Sequence, residues 1–138
     1  MISRMLQHRQ QVNPMQSNER RFRQRYDASP LKLEIRQLGW FGRPKKAHHA
    51  IGRDFALGGI AIITPLKLKP GKRLLLTLEN KDHRLQAVPA TVVRTEAIQG
   101  DYLCALKFAI GELPESASRG VYTILQRLEN TLKEPSIA

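Results

Sequence analysis

A chain of 138 residues with 41% apolar side chains is long enough to bury one compact core and too short to require several domains. Its formal net charge of +11 points to a polyanionic partner and is unevenly placed: residues 1 to 53 hold 12 Lys+Arg against 3 Asp+Glu, residues 54 to 138 hold 11 against 9. No apolar run reaches the roughly 18 to 20 residues of a membrane span, the start MISRMLQHRQQ lacks the apolar stretch of a secretory signal, and the single Cys104 excludes an internal disulfide, so a soluble cytoplasmic protein is expected.

Residues 1 to 18 are rich in Gln, Asn, Met and Arg without an apolar period, and are expected to form a disordered tail ahead of a domain over 19 to 134. RRFRQRYDASP (20 to 30) interleaves arginines with Phe22 and Tyr26, and its Ser-Pro pair disfavours helix. In LKLEIRQL (31 to 38), Leu31, Leu33 and Ile35 alternate with charged residues, the period of a strand with one wet face. GWFGRPKKAHH (39 to 49) carries Gly39, Gly42 and Pro44 and reads as a loop or flared hairpin, with a second strand from near Ala50. GGIAIIT (58 to 64) reads as a strand buried on much of both faces.

The turn PLKLKPGK precedes the strand RLLLTLE, and the polar turn NKDHR leads into LQAVPATVVRTEA. Pro89 inside that run demands an edge position or a bulge, because it has no amide hydrogen to give a central ladder. AIQGD turns the chain into the last strand, YLCALKFAI, where Cys104 has apolar neighbours and is expected to be buried. After Pro114 the period changes: Val121, Ile124, Leu125, Leu128 and Leu132 recur at helical spacing from about Ser116 to before Pro135. About six strands and one amphipathic helix predict an all-β, closed antiparallel barrel capped by a C-terminal helix.

Enzyme chemistry finds little support. His48 and His49 are adjacent rather than at i, i+4, so neither a metal site nor a cofactor is expected. An apolar strand offers Cys104 no base, no phosphate-binding glycine loop is present, and Asp54 has no second carboxylate for acid/base work.

Two segments carry chemistry. Arg21-Phe22-Arg23-Gln24-Arg25 is an RxxxR spacing with Arg20 beside it, and guanidinium groups suit phosphate because they donate in a planar fork and stack on bases. Asp54-Phe55-Ala56-Leu57-Gly58-Gly59 opens a buried strand; Asp54 can accept from the N1–H and amino group of a guanine, and Gly59 permits close backbone approach. In this order, about thirty residues apart, the pair resembles the PilZ domain family, whose pattern is RxxxR in an N-terminal loop followed by [D/N]xSxxG at the start of a strand. The resemblance covers roughly residues 19 to 132 and implies a six-stranded split barrel that binds cyclic di-GMP. It assigns the phosphates and one guanine face to Arg21 and Arg25, with Arg20 the nearest substitute if the register slips by one, and the guanine edge to Asp54 and Gly59; Arg23 and Arg53 are expected as lesser contributors. The chain departs from the pattern at one position, Ala56 standing where the family has serine.

The resemblance therefore implies a ligand-responsive adaptor that passes cyclic di-GMP binding to a downstream protein partner in motility, secretion or polysaccharide machinery. Two alternatives stand beside it: a module that has lost the ligand and acts through protein contacts, motivated by Ala56, and a general nucleic-acid-binding barrel, motivated by the basic N-terminal half with Phe22, Trp40 and Phe41. Nucleic acid ranks lower, since a nonspecific binder has no use for the Asp54 to Gly59 segment.

Overall fold

The structure is a computed structural model and describes residues 24–133; the expected tail over 1–18, and Arg20, Arg21 and Arg23, lie outside the described residues. In chain order the elements are β1 (Tyr26–Asp27), β2 (Lys32–Leu38), β3 (Pro44–Ala56), β4 (Gly59–Thr64), β5 (Arg73–Glu79), β6 (Arg84–Ile98), β7 (Asp101–Phe108) and α1 (Glu115–Lys133). All pairings are antiparallel in the order β3-β2-β5-β6-β7-β4, and β4 returns to pair β3, which closes a six-stranded barrel. β1 is a seventh strand. It pairs Tyr26 with Phe55 and Asp27 with Asp54, continuing along the edge of β3 that β2 leaves at Ile51.

Alternation sets the two faces. Leu33 and Ile35 of β2, Leu74, Leu76 and Leu78 of β5, Val88 and Val92 of β6, and Cys104, Leu106 and Phe108 of β7 all turn into one core. Phe55 meets Phe108 with ring centroids 6.1 Å apart at a tilted 52°. Cys104 is fully buried as expected, and burial pushes its thiol pKa up, against smaller opposing hydrogen bonds from Thr95 and Leu68. α1 closes the core with Leu125 and Leu128, both fully buried, while Val121, Tyr122, Ile124 and Leu132 pack around them.

β3 begins at Pro44, well before the expected start near Ala50. Its first residues are mostly wet, but β2 needs a backbone partner along its whole length, from Leu38 opposite Pro44 to Lys32 opposite Ile51, and the ladder does not require apolar side chains. Pro44 is tolerated because it is the first residue of the strand. Pro89 is not on an edge strand: it lies inside β6, opposite Leu75 of β5, and is accommodated because its side toward β7 is at the end of that ladder, where its carbonyl accepts from Ala109 just past the last β6–β7 pair and the amide hydrogen it lacks is not needed within the ladder. Glu129, which is not among the apolar residues at helical spacing, is nevertheless buried, with Lys133 as its ion-pair partner at 3.9 Å. Among the described residues no helix is long and apolar enough to cross a membrane.

Candidate ligand-binding site

The β1–β3 pairing brings the two sequence segments together. Arg25 immediately precedes β1, and β1 lies directly against Asp54 and Phe55. The end of the arginine segment is thus set beside Asp54–Gly59 by backbone hydrogen bonding, whatever the thirty intervening residues do. Ala28 reinforces the join by donating its N–H to the Arg53 carbonyl at 3.0 Å. Gly52 permits it, since a Cβ there would meet the Ala28 oxygen at 2.6 Å.

A cavity of about 560 Å³ opens on the outer wall of the barrel at this point, a volume typical of small-molecule sites. Arg25 overhangs it. Ala56, Gly58 and Gly59 form one side, and Val93, Arg94, Ala105 and Lys107 form the other. Two β-bulges shape these sides. In β3 the register shifts between Gly52 and Asp54, so Arg53 is the extra residue; in β6 it shifts between Val92 and Arg94, so Val93 is extra and protrudes, 57% exposed. Across the strands, Asp54 is aligned with Ala61, Ala61 with Ala105, and Ala105 with Arg94. Only methyl groups lie between a carboxylate and a guanidinium along this row.

Charge in the cavity is of one sign. Arg25, Arg94 and Lys107 line it without a carboxylate among the lining residues, and none of the three is in an ion pair among the described residues. Asp54 stands two residues from Ala56 on the aligned row. Its neighbour across the strands, Asp27, is occupied: both oxygens accept from Ser29, from the amide and from the hydroxyl, each at 3.0 Å. Asp54 makes no hydrogen bond through its side chain among the described residues, so its accepting capacity is free for a donor from outside the chain.

Of the residues singled out in the sequence, the structure gathers Arg25 and Gly59 in the cavity wall and Asp54 on the adjoining row, and leaves Arg53 exposed at the bulge. Gly59 has a structural reason of its own: a Cβ there would lie 2.2 Å from the Leu106 carbonyl oxygen of β7, so the close approach it permits is that of a neighbouring strand. No sequence motif marks Arg94 or Lys107. Each is a charged residue within a strand, and only the barrel register places Lys107 opposite Gly59 and Arg94 on the row of Asp54. Among the described residues no group of three His, Cys, Asp or Glu side chains is placed to hold a metal.

No curated protein matches the sequence. Among solved structures, the chain is similar to the Bacillus subtilis inhibitor of motility MotI/DgrA, with TM-score 0.54, 18% identity, and coverage of 81% of this chain and 53% of that one. It is also similar to Escherichia coli YcgR in complex with c-di-GMP, with TM-score 0.54, 14% identity, and coverage of 78% and 45%. The isolated PilZ domain of YcgR with c-di-GMP gives TM-score 0.52 and 15% identity over 78% of this chain and 90% of that domain. The chain thus spans about half the length of the MotI/DgrA and YcgR chains, and at these identities the likeness is one of fold. The model of the PilZ domain matches residues 19–120, most of the chain, and on that match the chain belongs to the PilZ domain family.

Proposed function

We propose that this protein is a non-enzymatic cytoplasmic receptor for cyclic di-GMP that relays occupancy to a downstream protein partner in motility, secretion or polysaccharide machinery. The observation that carries the reading is the β1–β3 pairing, which sets Arg25 over a cationic cavity beside Asp54 and Gly59. In the proposed complex Arg25, with Arg21 and Arg20 of the same segment and Arg23 in a lesser part, holds the phosphates and stacks on one guanine. Asp54 accepts from a guanine edge, Ala56 and Gly59 form the floor, and Arg94 and Lys107 supply the remaining positive field, with Arg53 at the margin. The arginine segment closes over the ligand and so changes the surface offered to the partner.

Support comes from membership of the family and from the solved neighbours, two of which were determined with c-di-GMP bound and one of which is described as a c-di-GMP-dependent transcription regulatory factor. Calorimetric titration of the full chain with cyclic di-GMP tests the reading. Binding is expected, and Arg25→Ala and Asp54→Ala should each weaken it by about 10- to 100-fold, the value of a charge-assisted hydrogen bond of roughly 1.5–3 kcal/mol. No heat of binding at high micromolar ligand would overturn it.

A further inference from the structure

The turn between β2 and β3 holds the two most exposed large apolar side chains described, Trp40 at 87% and Phe41 at 98%. They are adjacent and sit on an ordered turn. The Gly39 N–H donates to the Arg43 carbonyl at 2.7 Å, and the Gly42 and Arg43 amides donate to the Gly39 and Trp40 carbonyls at 3.1 and 3.3 Å. Phe41 itself adopts φ +58°, a left-handed conformation that a bulky side chain disfavours and a glycine or asparagine would take at lower cost. Neither folding nor the cavity uses these rings. They lie beyond the first residue of β3, whereas the cavity is built at its last, so the 13-residue strand separates the two.

The collar around the rings is cationic. Arg43, Lys45 and Lys46 follow them in exposed positions, and the Lys69–Lys72 turn ahead of β5 is tied alongside by Lys72 Nζ donating to the Leu38 carbonyl at 3.1 Å. No acidic residue occurs between Glu34 and Asp54, nor between Thr64 and Arg73. We infer that this tip is a second binding site, which seats on an anionic lipid surface by inserting Trp40 and Phe41 at the interface while the basic collar meets the headgroups. The shape selects this class of partner. A knob this exposed offers no groove to a peptide, and neighbouring side chains of a tight turn diverge, so the rings do not form the continuous platform on which successive bases stack. A bilayer interface accepts an aromatic pair at headgroup level, and the negative surface potential of anionic lipid attracts each cation of the collar. The inference stands independently of the nucleotide reading.

Trp40 is the single tryptophan of the chain, so its emission reports the tip alone. The full chain is mixed with phosphatidylcholine vesicles, with and without phosphatidylglycerol, and followed by emission and by co-sedimentation. A blue shift and sedimentation with the anionic vesicles only are expected. Sedimentation should weaken at least ~10-fold both in the Trp40→Ser, Phe41→Ser double variant and in Lys45→Glu, Lys46→Glu. Both variants should retain the far-ultraviolet circular dichroism of the parent and its titration with cyclic di-GMP. The inference is overturned if anionic vesicles leave the emission unmoved, or if the folded aromatic variant sediments like the parent. A blue shift with a single-stranded oligonucleotide and not with vesicles would overturn it in favour of nucleic acid.

Discussion

Gly59 shows how one residue type can serve the barrel and the site at once. It lines the cavity, yet a methyl group in its place would be driven into the Leu106 carbonyl, on a part of β7 that cannot retreat without breaking the β4–β7 ladder. Gly59→Ala should therefore cost about 1–3 kcal/mol of stability, read as a lower denaturant midpoint with an unchanged slope. A loss of ligand affinity at full stability would instead place its role in the complex. Ala56 poses the opposite case. Its methyl is in the cavity wall, 5% exposed, where the family pattern carries a hydroxyl. Ala56→Ser should tighten cyclic di-GMP binding by a few-fold to about tenfold, the range of one neutral hydrogen bond of roughly 0.5–1.5 kcal/mol. Calorimetry on the variant decides it; unchanged affinity would mean that the ligand passes this wall without touching it.

At the scale of elements, β1 is a lever two residues long. The barrel closes through β3 and β4 without it, so its structural consequence is the placement of Arg25. The last turn of α1 reaches the same strand: Lys133 Nζ lies 6.0 Å from the centre of the Tyr26 ring, while also pairing with Glu129. Tyr26→Pro removes an amide hydrogen from β1 and leaves every barrel ladder intact. It should leave circular dichroism and stability close to the parent, within about 1 kcal/mol, and weaken nucleotide binding at least ~10-fold. Equal affinity would show that Arg25 reaches its place without the strand.

The same elements explain what could be read from the sequence. β2, β5 and α1 were legible because each buries one face and so carries a period, Leu33 and Ile35, Leu74 to Leu78, Leu125 and Leu128, whereas β4 was legible as a short apolar run in which Ile60, Ala61 and Ile62 are all buried. β1 is too short to have a period, and the first half of β3 is held by the ladder rather than by burial, so neither was visible. The half of the proposed site near Asp54 is marked in the sequence by the Asp54 to Gly59 segment. The half at Arg94 and Lys107 is not, because it depends on the register of three neighbouring strands and on the bulge at Val93, and no local pattern encodes these.

For the whole molecule, the placement of two surfaces at opposite ends of β3 separates two signals. A ligand that binds only the folded chain stabilises it by about 2.7 kcal/mol at a hundredfold excess over Kd. For a domain of this size that is a rise in Tm on the order of 10 °C. Cyclic di-GMP should produce this rise in the parent, and Arg25→Ala, with affinity about 10- to 100-fold weaker, should remove roughly half to most of it at the same ligand concentration. The exposed Trp40 should meanwhile report nothing, since its ring touches neither the cavity nor the core. Following Tm and Trp40 emission in one sample separates the possibilities. A Tm rise with unmoved emission means that the nucleotide acts locally on β1, β3 and the arginine segment, leaving the aromatic tip in the same state with and without ligand. A Tm rise accompanied by a shift in emission means that β3 transmits occupancy along its length, which would make the tip itself the surface that the nucleotide controls.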